Sequence, residues 1–529
     1  MSRIAARVRA RLSIDQMLAL SAVGLVIGTI SAFATIGFVE LVHWLNELFY
    51  VNADSRSRLD SGTLAIVTIS VLTIGGLLVG LILNYGVKSD RPLGPADTIY
   101  AVQLREKLPH PVAGLLSTLA AILSLGCGAS VGQYGPVVYL GTLFGQMANR
   151  LQLGIRDIRS IAIACGVAAA IATAFNAPIA GLIFTHEVVL RHYSLRIFTS
   201  VTVATACGYV VANVVFEHPA LFLIDFDQAF HAAEFFLFAL EGVACGLLAV
   251  AFMKLLARTN ALSRQIKIHA VFKPMLAGFL VSIVALQIPE VLGAGQAVLH
   301  LATVSGSYGA LDLASILVAK VLVTAFCIGF GFAGGVIFPS LLIGVLFGAL
   351  FAISIPELLL SEYSGLSVYA ICGMVALASP VIGAPLTALL IIFEITRNYE
   401  VTIAAMVTIV FANLIAYHWY GRSLFDTQLA DRGIDLSQGR EQAYLQHHKI
   451  TEYSTQDDSI TDTVSESGIQ FDENTSLWSA METMRIYQDR TIPIVQSHTG
   501  HRLGTISRTT IINAYLDAIQ DLRREEHEV

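Results

Sequence analysis

The 529-residue sequence predicts an all-α, polytopic membrane protein followed by a small α/β unit, and three observations predict it. The chain is strongly apolar, one glycine-rich motif occurs twice, and the composition changes sharply after about residue 435. Two halves built on one plan within an apolar chain are typical of channels and transporters, in which inverted repeats with broken helices meet near mid-membrane. The sequence therefore predicts a ligand site between two such repeats.

Composition defines the class of protein. Apolar residues make up 55% of the chain and charged residues 13%, and the mean hydropathy is +0.69. Soluble domains carry about one-quarter charged residues, so an ordinary soluble protein is excluded. Glycine and proline interrupt 112–125 and 136–148, which are candidates to end within the membrane. Segments long enough to cross the roughly 30 Å hydrocarbon core are clearest at 63–84, 159–185, 233–253 and 401–417.

Charged residues predict the orientation. Residues 1–14 are basic and lack a small-residue cleavage site, which predicts a retained cytoplasmic segment. The basic loops 149–160 and 258–273 are expected to be cytoplasmic, whereas three loops without Lys or Arg are expected to be external: 216–228, 287–298 and 354–366. We expect a plasma (inner) membrane protein with both termini cytoplasmic. The net charge of −7 lies largely in the C-terminal tail and does not point to nucleic acid.

No feature of the chain indicates a cofactor, a metal site or an enzyme. No Ser/His/Asp arrangement, metal-ligand spacing or pair of carboxylates at membrane depth is found. The six cysteines lie in apolar segments without paired spacing, which is typical of packing residues rather than of disulfides or metal ligands. They are Cys127, Cys165, Cys207, Cys245, Cys327 and Cys372.

The repeated motif reads GCGASVGQYGP at 126–136 and GFGFAGGVIFP at 329–339. Further along, FNAPIAGLIFTHE at 175–187 matches IGAPLTALLIIFE at 382–394. The G-x-G-x-x-G within the second copy lacks a surrounding βαβ unit, so a dinucleotide site is not indicated. Instead, each copy predicts a glycine loop that leads into a helix N-terminus, where unpaired amides and a partial positive charge favour an anion. Four glycines after the prolines predict close helix packing: Gly141, Gly145, Gly344 and Gly348.

At these residues the chain resembles the CLC family of chloride channels and proton-coupled anion exchangers. The resemblance covers about residues 15–430 and rests on GQYGP (132–136), FNAPIAGLIF (175–184), GGVIFP (334–339), the second Ala-Pro…Glu segment and SLFDTQLADRG (423–433). It implies a homodimer in the lipid bilayer, with a separate pore for chloride or another monovalent anion in each subunit. The membrane domain is then 15–434, with inverted repeats at about 63–215 and 269–420.

The resemblance also implies the site residues. The anion-binding amides fall at Gln133, Tyr134 and Gly135 in the first half, and at Val336, Ile337 and Phe338 in the second. The family's external gating glutamate is replaced by Tyr134, and Val188 stands at the internal proton-glutamate position of the exchangers. A phenol with a reference pKa of about 10 is neutral at pH 7. Passive anion flow without proton coupling is the expected consequence.

The central anion site departs from the family pattern as well. The serine whose hydroxyl contacts the ion corresponds to Pro92, and the tyrosine corresponds to Phe425. Each lost hydrogen bond to an ion is worth roughly 1.5–3 kcal/mol, so central chloride binding is expected to be weak. Two alternatives are open for Tyr134: its hydroxyl supplies a compensating donor, or its ring obstructs the pore.

Other polar residues in apolar segments each have two interpretations. Lys320 either raises the potential for anions or is a paired structural charge, and the structural role is slightly favoured. His186 suggests a proton relay, but a histidine satisfied by neighbouring helices is the better interpretation. Glu187 and Glu394 occupy the same place in the two halves, which predicts scaffold residues.

The tail is predicted as a linker at 435–456, a unit resembling one CBS motif at 457–524 and a short end at 525–529. The pattern predicts a helix over 471–488 capped by Asn474 or Thr475, strands at 490–497 and 502–507 around the turn His-Thr-Gly-His, and a helix over 508–524. A lone CBS motif implies pairing with the dimer mate. Thr510 replaces the aspartate that often binds ribose, which argues against adenine nucleotide as a ligand and favours a dimerising or gating role.

The expected function is thus a CLC-like anion channel that passes chloride or another monovalent anion, such as nitrate or bicarbonate, without proton coupling. Two alternatives remain at this point. One is an anion exchanger with atypical coupling, and the other is a regulatory membrane protein whose pore is plugged and whose CBS-like unit senses a ligand.

Overall fold

The computed structural model describes residues 2–89, 91–148, 157–216, 233–354, 363–437, 439–453, 469–486, 491–496 and 502–527. The chain folds into two compact units. The first lies within residues 1–99, 107–191 and 197–425, and the second within 100–106, 192–196 and 426–529. Parts of the loops 149–160, 216–228 and 354–366 and the turn 498–501 lie outside the described residues.

The first unit is mostly helical, as predicted. Eight of its described helical segments are long and apolar enough to cross a membrane by length and composition. The segments 112–125 and 136–148 lie in the short helices Pro111–Gly126 and Tyr134–Ala148, in keeping with their glycine and proline content. The described helices up to residue 430, the last of which lies mostly in the second unit, are α1 (Ser2–Leu48), α2 (Ala53–Arg56), α3 (Ser61–Leu81), α4 (Pro95–Gln103), α5 (Pro111–Gly126), α6 (Tyr134–Ala148), α7 (Ile158–Phe175), α8 (Pro178–Phe184), α9 (Leu195–Val210), α10 (Glu234–Gln265), α11 (Phe272–Gln287), α12 (Gln296–Ala302), α13 (Ala310–Gly329), α14 (Ile337–Ser354), α15 (Leu366–Ile382), α16 (Pro385–Thr396), α17 (Tyr399–Trp419) and α18 (Leu424–Ala430).

Two helix ends could not be placed from the sequence. The apolar stretch 159–185 is two helices, because Asn176 turns the chain in the left-handed region (φ 56°) and Ala177 precedes a proline. Residues 2–14 are helical and continuous with the first membrane helix. Wider π-helical turns extend α3, α8 and α9, at Ile82–Val87, Thr185–Leu190 and Val211–Val215.

The two halves use the same glycine crossings. A Cβ added to Gly141 of α6 would lie 2.3 Å from the carbonyl oxygen of Gly166 in α7. In the second half, a Cβ on Gly344 of α14 would lie 2.3 Å from the carbonyl oxygen of Gly373 in α15. Gly145 and Gly348 approach the neighbouring backbone as closely, at 2.4 and 2.3 Å. The packing role predicted for these four glycines is confirmed.

The correspondence of the halves extends beyond the predicted repeats. Helix α1 crosses α9 where a Cβ on Gly24 would lie 2.3 Å from the carbonyl oxygen of Ser200. Helix α10 crosses α17 in the same way, since a Cβ on Gly242 would lie 2.4 Å from the carbonyl oxygen of Thr408. Repeats bounded at about 63 and 269 therefore omit the first helix of each half, which an alignment of glycine loops alone does not detect.

The second unit contains a three-stranded sheet: β1 (Phe471–Asp472), β2 (Thr491–Val495) and β3 (Arg502–Ser507). Strand β1 pairs parallel with β2, and β2 pairs antiparallel with β3. Its helices include α19 (Arg440–His447), α20 (Leu477–Ile486) and α21 (Arg508–His527), with a 3-10 turn at Ile450–Tyr453. This strand and helix order is consistent with a CBS-like unit.

Three details of the tail differ from expectation. The described part of the linker at 435–456 contributes Leu445 and Ile450 to the core of the second unit, because both side chains are buried against it. The helix predicted over 471–488 begins only at Leu477, since 471–472 forms a strand and Ser476 Oγ accepts from the Ser479 amide at 3.2 Å. The last helix continues to His527, beyond the predicted end.

Candidate anion site

The two glycine loops meet through their backbones. The Gly132 amide donates to the Gly335 carbonyl at 2.7 Å, and the Gly335 amide donates back to Gly132 at 2.7 Å. The pairing is antiparallel, as two oppositely oriented repeats produce. Space allows nothing larger than glycine: a Cβ on Gly335 would lie 2.7 Å from the Gly135 nitrogen, and a Cβ on Gly132 would lie 2.8 Å from the Gly335 oxygen.

Both loops end in a helix N-terminus at this junction. Helix α6 begins at Tyr134 and α14 at Ile337, so Pro136 and Pro339 each take the third helical position. The carbonyls of Gln133 and Val336 accept the first helical bonds, from Val137 at 3.1 Å and Ser340 at 3.0 Å.

First-turn amides have no acceptor within their own helix. The structure thus brings together the six predicted loop residues, with partial positive charge from both helix ends. They are Gln133, Tyr134, Gly135, Val336, Ile337 and Phe338.

Tyr134 lies at the junction and is fully buried, with 0% exposure. Its ring stacks on Phe175 with centroids 3.7 Å apart and lies 5.7 Å from the ring of Phe338. The phenol oxygen has no hydrogen-bond partner among the described residues. A buried hydroxyl without a partner costs about 1–3 kcal/mol, and this phenol is able to donate a hydrogen bond within the junction.

The segment that contains Pro92 lies beside the first loop, since a Cβ on Gly135 would be 3.6 Å from Cδ of Pro95. Pro92 has no amide hydrogen to offer. The Leu93 amide donates to Ser117 Oγ at 2.9 Å, and the Gly94 amide donates to the Asp97 carboxylate at 2.8 Å. Pro92, Leu93 and Gly94 therefore leave no backbone amide free to donate a hydrogen bond to an anion at the loops.

Phe425 and Val188 lie outside the two loops. Phe425 is 2% exposed near the start of α18, and Val188 is 3% exposed in the π-helical turn after α8. Neither side chain carries a hydrogen-bond donor or a titratable group.

Two buried contacts that the sequence did not reveal tie the first half to the second loop and its preceding helix. Ser124 Oγ accepts from the Ala333 amide at 3.0 Å, and the hydroxyls of Ser130 and Thr324 lie 2.8 Å apart. Ser130 and Ala333 lie within the two motif copies and Ser124 and Thr324 precede them, but the motif spacing does not pair these residues, so only the fold shows that they meet.

Glu187 and Glu394 are scaffold residues, as predicted, and the structure shows how they work. The Glu187 carboxylate accepts from the amides of Leu386 and Thr387 at 3.0 and 2.8 Å, at the N-terminus of α16. Glu394 accepts from the amides of Ile179 and Ala180 at 2.8 and 2.7 Å, at the N-terminus of α8. Each half therefore caps a helix of the other, and charged caps at helix N-termini are favourable.

We expect Glu394→Gln to lower the thermal stability of the protein in detergent. An amide has one acceptor oxygen where the carboxylate has two, so one charge-assisted hydrogen bond, worth roughly 1.5–3 kcal/mol, is lost. Glu187→Gln should act in the same direction. Glu400→Gln, on the exposed face of α17, is the matched control. Unchanged melting temperatures for both cap variants would contradict the reciprocal-cap interpretation.

Lys320 and His186 both lie within hydrogen-bond distance of backbone carbonyls, which supports a structural role, although the partners found for Lys320 are carbonyl oxygens rather than the opposite charge expected. Lys320 is fully buried, and its ammonium donates to the carbonyls of Val291 and Gly293 at 3.0 and 2.9 Å. The Gly293 amide in turn donates to the Gly128 carbonyl at 2.8 Å. Lys320 therefore stabilises the first glycine loop indirectly, through Gly293. His186 Nδ1 lies 3.0 Å from the Leu182 carbonyl within its own helix. All six cysteines are free, and five of them are buried.

Comparisons with known proteins identify the family of the chain. The model of the family described as voltage gated chloride channel matches residues 75–417. The chain is 28% identical over 431 residues to the H(+)/Cl(-) exchange transporter ClcA of Vibrio parahaemolyticus, covering 79% of this chain and 90% of that one. It is also 28% identical to the chloride channel protein CLC-f of Arabidopsis thaliana, covering 73% of this chain and 52% of that protein.

A solved structure shows the same fold. The crystal structure of a slow cyanobacterial Cl-/H+ antiporter superposes with a TM-score of 0.70 at 24% identity, covering 78% of this chain and 97% of that one. The similar proteins thus include one named as a channel and others named as exchangers. Because the family model spans most of the membrane unit and more than half of the chain, the protein belongs to the voltage-gated chloride channel, or CLC, family of anion channels and transporters.

Proposed function

We propose that the protein is a passive anion channel that conducts chloride or another monovalent anion, such as nitrate or bicarbonate, without proton coupling. The observation that carries this proposal is Tyr134, a buried neutral phenol at the junction of the two loops, where the family's gate is a carboxylate. Val188 supports it, since an aliphatic side chain at the internal position cannot pass a proton.

The junction is suited to rapid passage of an anion. Two helix N-termini supply amide donors and partial charges rather than a full cation, and binding must be weak enough to permit release. The phenol of Tyr134 acts in this proposal as an additional donor, which satisfies its otherwise unpartnered hydroxyl. It replaces the donors that are missing at Pro92 and Phe425.

Anion efflux from liposomes that contain the purified protein tests the proposal, with internal pH recorded and chloride, nitrate and bicarbonate compared. Fast efflux without proton movement is expected. Proton movement in a fixed ratio to the anion would instead establish an exchanger, the activity named for the ClcA relative. Absence of flux for every anion would favour the regulatory alternative, in which the stacked ring of Tyr134 closes the path.

Phe425→Tyr should tighten chloride binding at the central site. The added hydroxyl restores one hydrogen bond to the ion, worth roughly 1.5–3 kcal/mol, or about tenfold or more in affinity. Chloride binding measured by calorimetry on detergent-solubilised protein checks this. Phe351→Tyr, near the C-terminal end of α14 and away from the glycine loop, is the control. An unchanged affinity would place Phe425 away from the ion.

The wider assembly belongs to the same proposal. We place the channel in the plasma membrane as a homodimer with cytoplasmic termini, in which the CBS-like units of two subunits pair. In the second unit, the Thr510 hydroxyl lies 2.8 Å from the Ser507 hydroxyl, which also accepts from the Thr510 amide at 3.0 Å. A threonine engaged in a helix cap favours a dimerising role over nucleotide binding.

A further inference from the structure

Glu241 lies about two turns into the membrane helix α10 and is not used by the anion site. Its side chain is completely buried, and neither carboxyl oxygen has a hydrogen-bond partner among the described residues. Oε1 faces the crossing of α14 and α15, where a Cβ on Gly348 or on Gly373 would lie 2.9 Å from it. The acid therefore occupies a groove that exists because both neighbours are glycine.

A second acid on the same helix shows what a satisfied carboxylate looks like here. Glu234, seven residues earlier, is equally buried, but it accepts from the Ser364 amide at 2.9 Å and hydroxyl at 2.6 Å. The Tyr369 hydroxyl donates to it as well, at 3.1 Å. Three donors stabilise a negative charge on Glu234, whereas the part of the chain that the structure describes supplies none to Glu241.

The first half shows that the crossing does not require an acid. In that half, helix α1 packs against the equivalent crossing of α6 and α7, and a Cβ on Gly166 would lie 3.3 Å from Ser31 Oγ. Ser31 is neutral and fully buried. The acid in the second half is thus an addition to a shared architecture, and the packing tolerates a neutral polar group at this place.

An ionised carboxylate in such a site is costly. Burial of an unpaired charge in an apolar interior costs several kcal/mol or more, and the group neutralises instead when a proton is available. The titratable groups that face Glu241 are Cys245 on its own helix and Cys372 and Tyr369 on α15, and none of them is a cation. Helices α14 and α17 present Gly348 and Thr408 near this level.

We propose that Glu241 is a proton-binding site within the membrane unit, occupied at neutral pH, and that its proton holds α14 and α15 in their close crossing. Loss of the proton leaves a charge that must recruit water, which separates the two helices at Gly348 and Gly373. Because α14 begins at the second glycine loop, this separation displaces half of the anion site. Anion flux then falls as pH rises, a consequence that rests on the proposed channel function.

Infrared spectroscopy on the intact protein tests proton occupancy without any flux. The wild type is expected to show a protonated carboxylic acid band at about pH 7 that is lost in Glu241→Gln. Glu234→Gln, the matched variant on the same helix, should retain that band. Absence of the band from the wild type, or its loss only in Glu234→Gln, would overturn the proposal.

Thermal unfolding as a function of pH supplies a second, independent readout. If the folded protein holds a proton that the unfolded chain releases, stability falls as pH rises above the ordinary glutamate range. Glu241→Gln should lose this slope and be more stable than the wild type at alkaline pH. A slope unchanged in Glu241→Gln would contradict the proposal, as would stabilisation of the wild type by sodium at alkaline pH, because a cation would then be the ligand.

Flux measurements separate this proposal from the channel function itself. Wild-type anion efflux should decrease by about threefold or more between about pH 7 and pH 9.5, while Glu241→Gln remains nearly constant. Proton-coupled flux in the wild type would refute the uncoupled channel but leave the infrared result standing. Parallel pH profiles for the two proteins would overturn the link between Glu241 and transport.

Discussion

Gly335→Ala is expected to reduce anion flux by about fivefold or more, because overpacking of a tight contact costs about 1–3 kcal/mol. The new methyl group would lie 2.7 Å from the nitrogen and 2.9 Å from Cα of Gly135, both backbone atoms of the other half. A backbone cannot rotate away as a side chain can. The two loops must separate, which breaks the reciprocal hydrogen bonds between Gly132 and Gly335.

The effect should be local to the site rather than a loss of the whole fold. Efflux from liposomes and the melting temperature in detergent are therefore measured on the same preparations. Gly37→Ala in α1 is the matched control, since a Cβ at Gly37 meets no atom within 4 Å. The control should keep wild-type flux, and alanine should stabilise its helix slightly. Wild-type flux in Gly335→Ala would show that the pairing of the loops is dispensable.

The loops could be predicted from the sequence because their physical requirement is local. A glycine loop followed by a proline in the first helical turn repeats in both halves, and the same spacing carries the packing glycines. The helix starts at Tyr134 and Ile337 and the crossings at Gly141 and Gly344 follow from these patterns. The identity and the position of Tyr134 in the sequence were enough to predict that a neutral residue lies at the junction.

Contacts between distant segments could not be predicted in the same way. Glu187 and the amide of Thr387 are 200 residues apart, and the sequence indicated a scaffold role without naming the partner. The signal that could have suggested it is the Ala-Pro…Glu pattern itself, which places a helix N-terminus and an acid in each half. Glu241 gave no signal, because one acid in an apolar helix resembles many others until its neighbours are known.

The tail shows the limit of composition as a guide. Polar residues at 435–456 predict a linker, yet the burial of two aliphatic side chains, Leu445 and Ile450, makes the described part of this segment a component of the second unit. Two residues in a polar stretch are too few to form a periodic pattern. Their partners, among them Phe471 and Ile494, are recruited from later in the chain.

Tyr134→Glu is expected to convert a channel with little pH dependence at this site into one that is blocked at neutral pH and opened by acid. A carboxylate in the first turn of α6 would be stabilised by the partial positive charge of the helix end and by the amides that bind the anion. It would therefore compete with the permeant anion for the same donors. Protonation at acid pH removes the charge and the competition.

Two control variants isolate the charge. Tyr134→Gln has the size of the glutamate but no titratable group, so its flux should not change with pH in the acid range. Tyr134→Phe keeps the ring that stacks on Phe175 and removes only the hydroxyl. Anion efflux from liposomes between about pH 4 and pH 7.5 is measured for all three, with internal pH recorded.

The pattern across these variants decides the role of Tyr134. Acid-activated flux in Tyr134→Glu alone would show that this side chain competes with the anion, and slower flux in Tyr134→Phe would show that the phenol donates to it. Faster flux in Tyr134→Gln than in the wild type would instead mean that the buried ring obstructs the path. Identical pH profiles for the Glu and Gln variants would place residue 134 away from the anion, which contradicts the alignment of this loop with the family's gate.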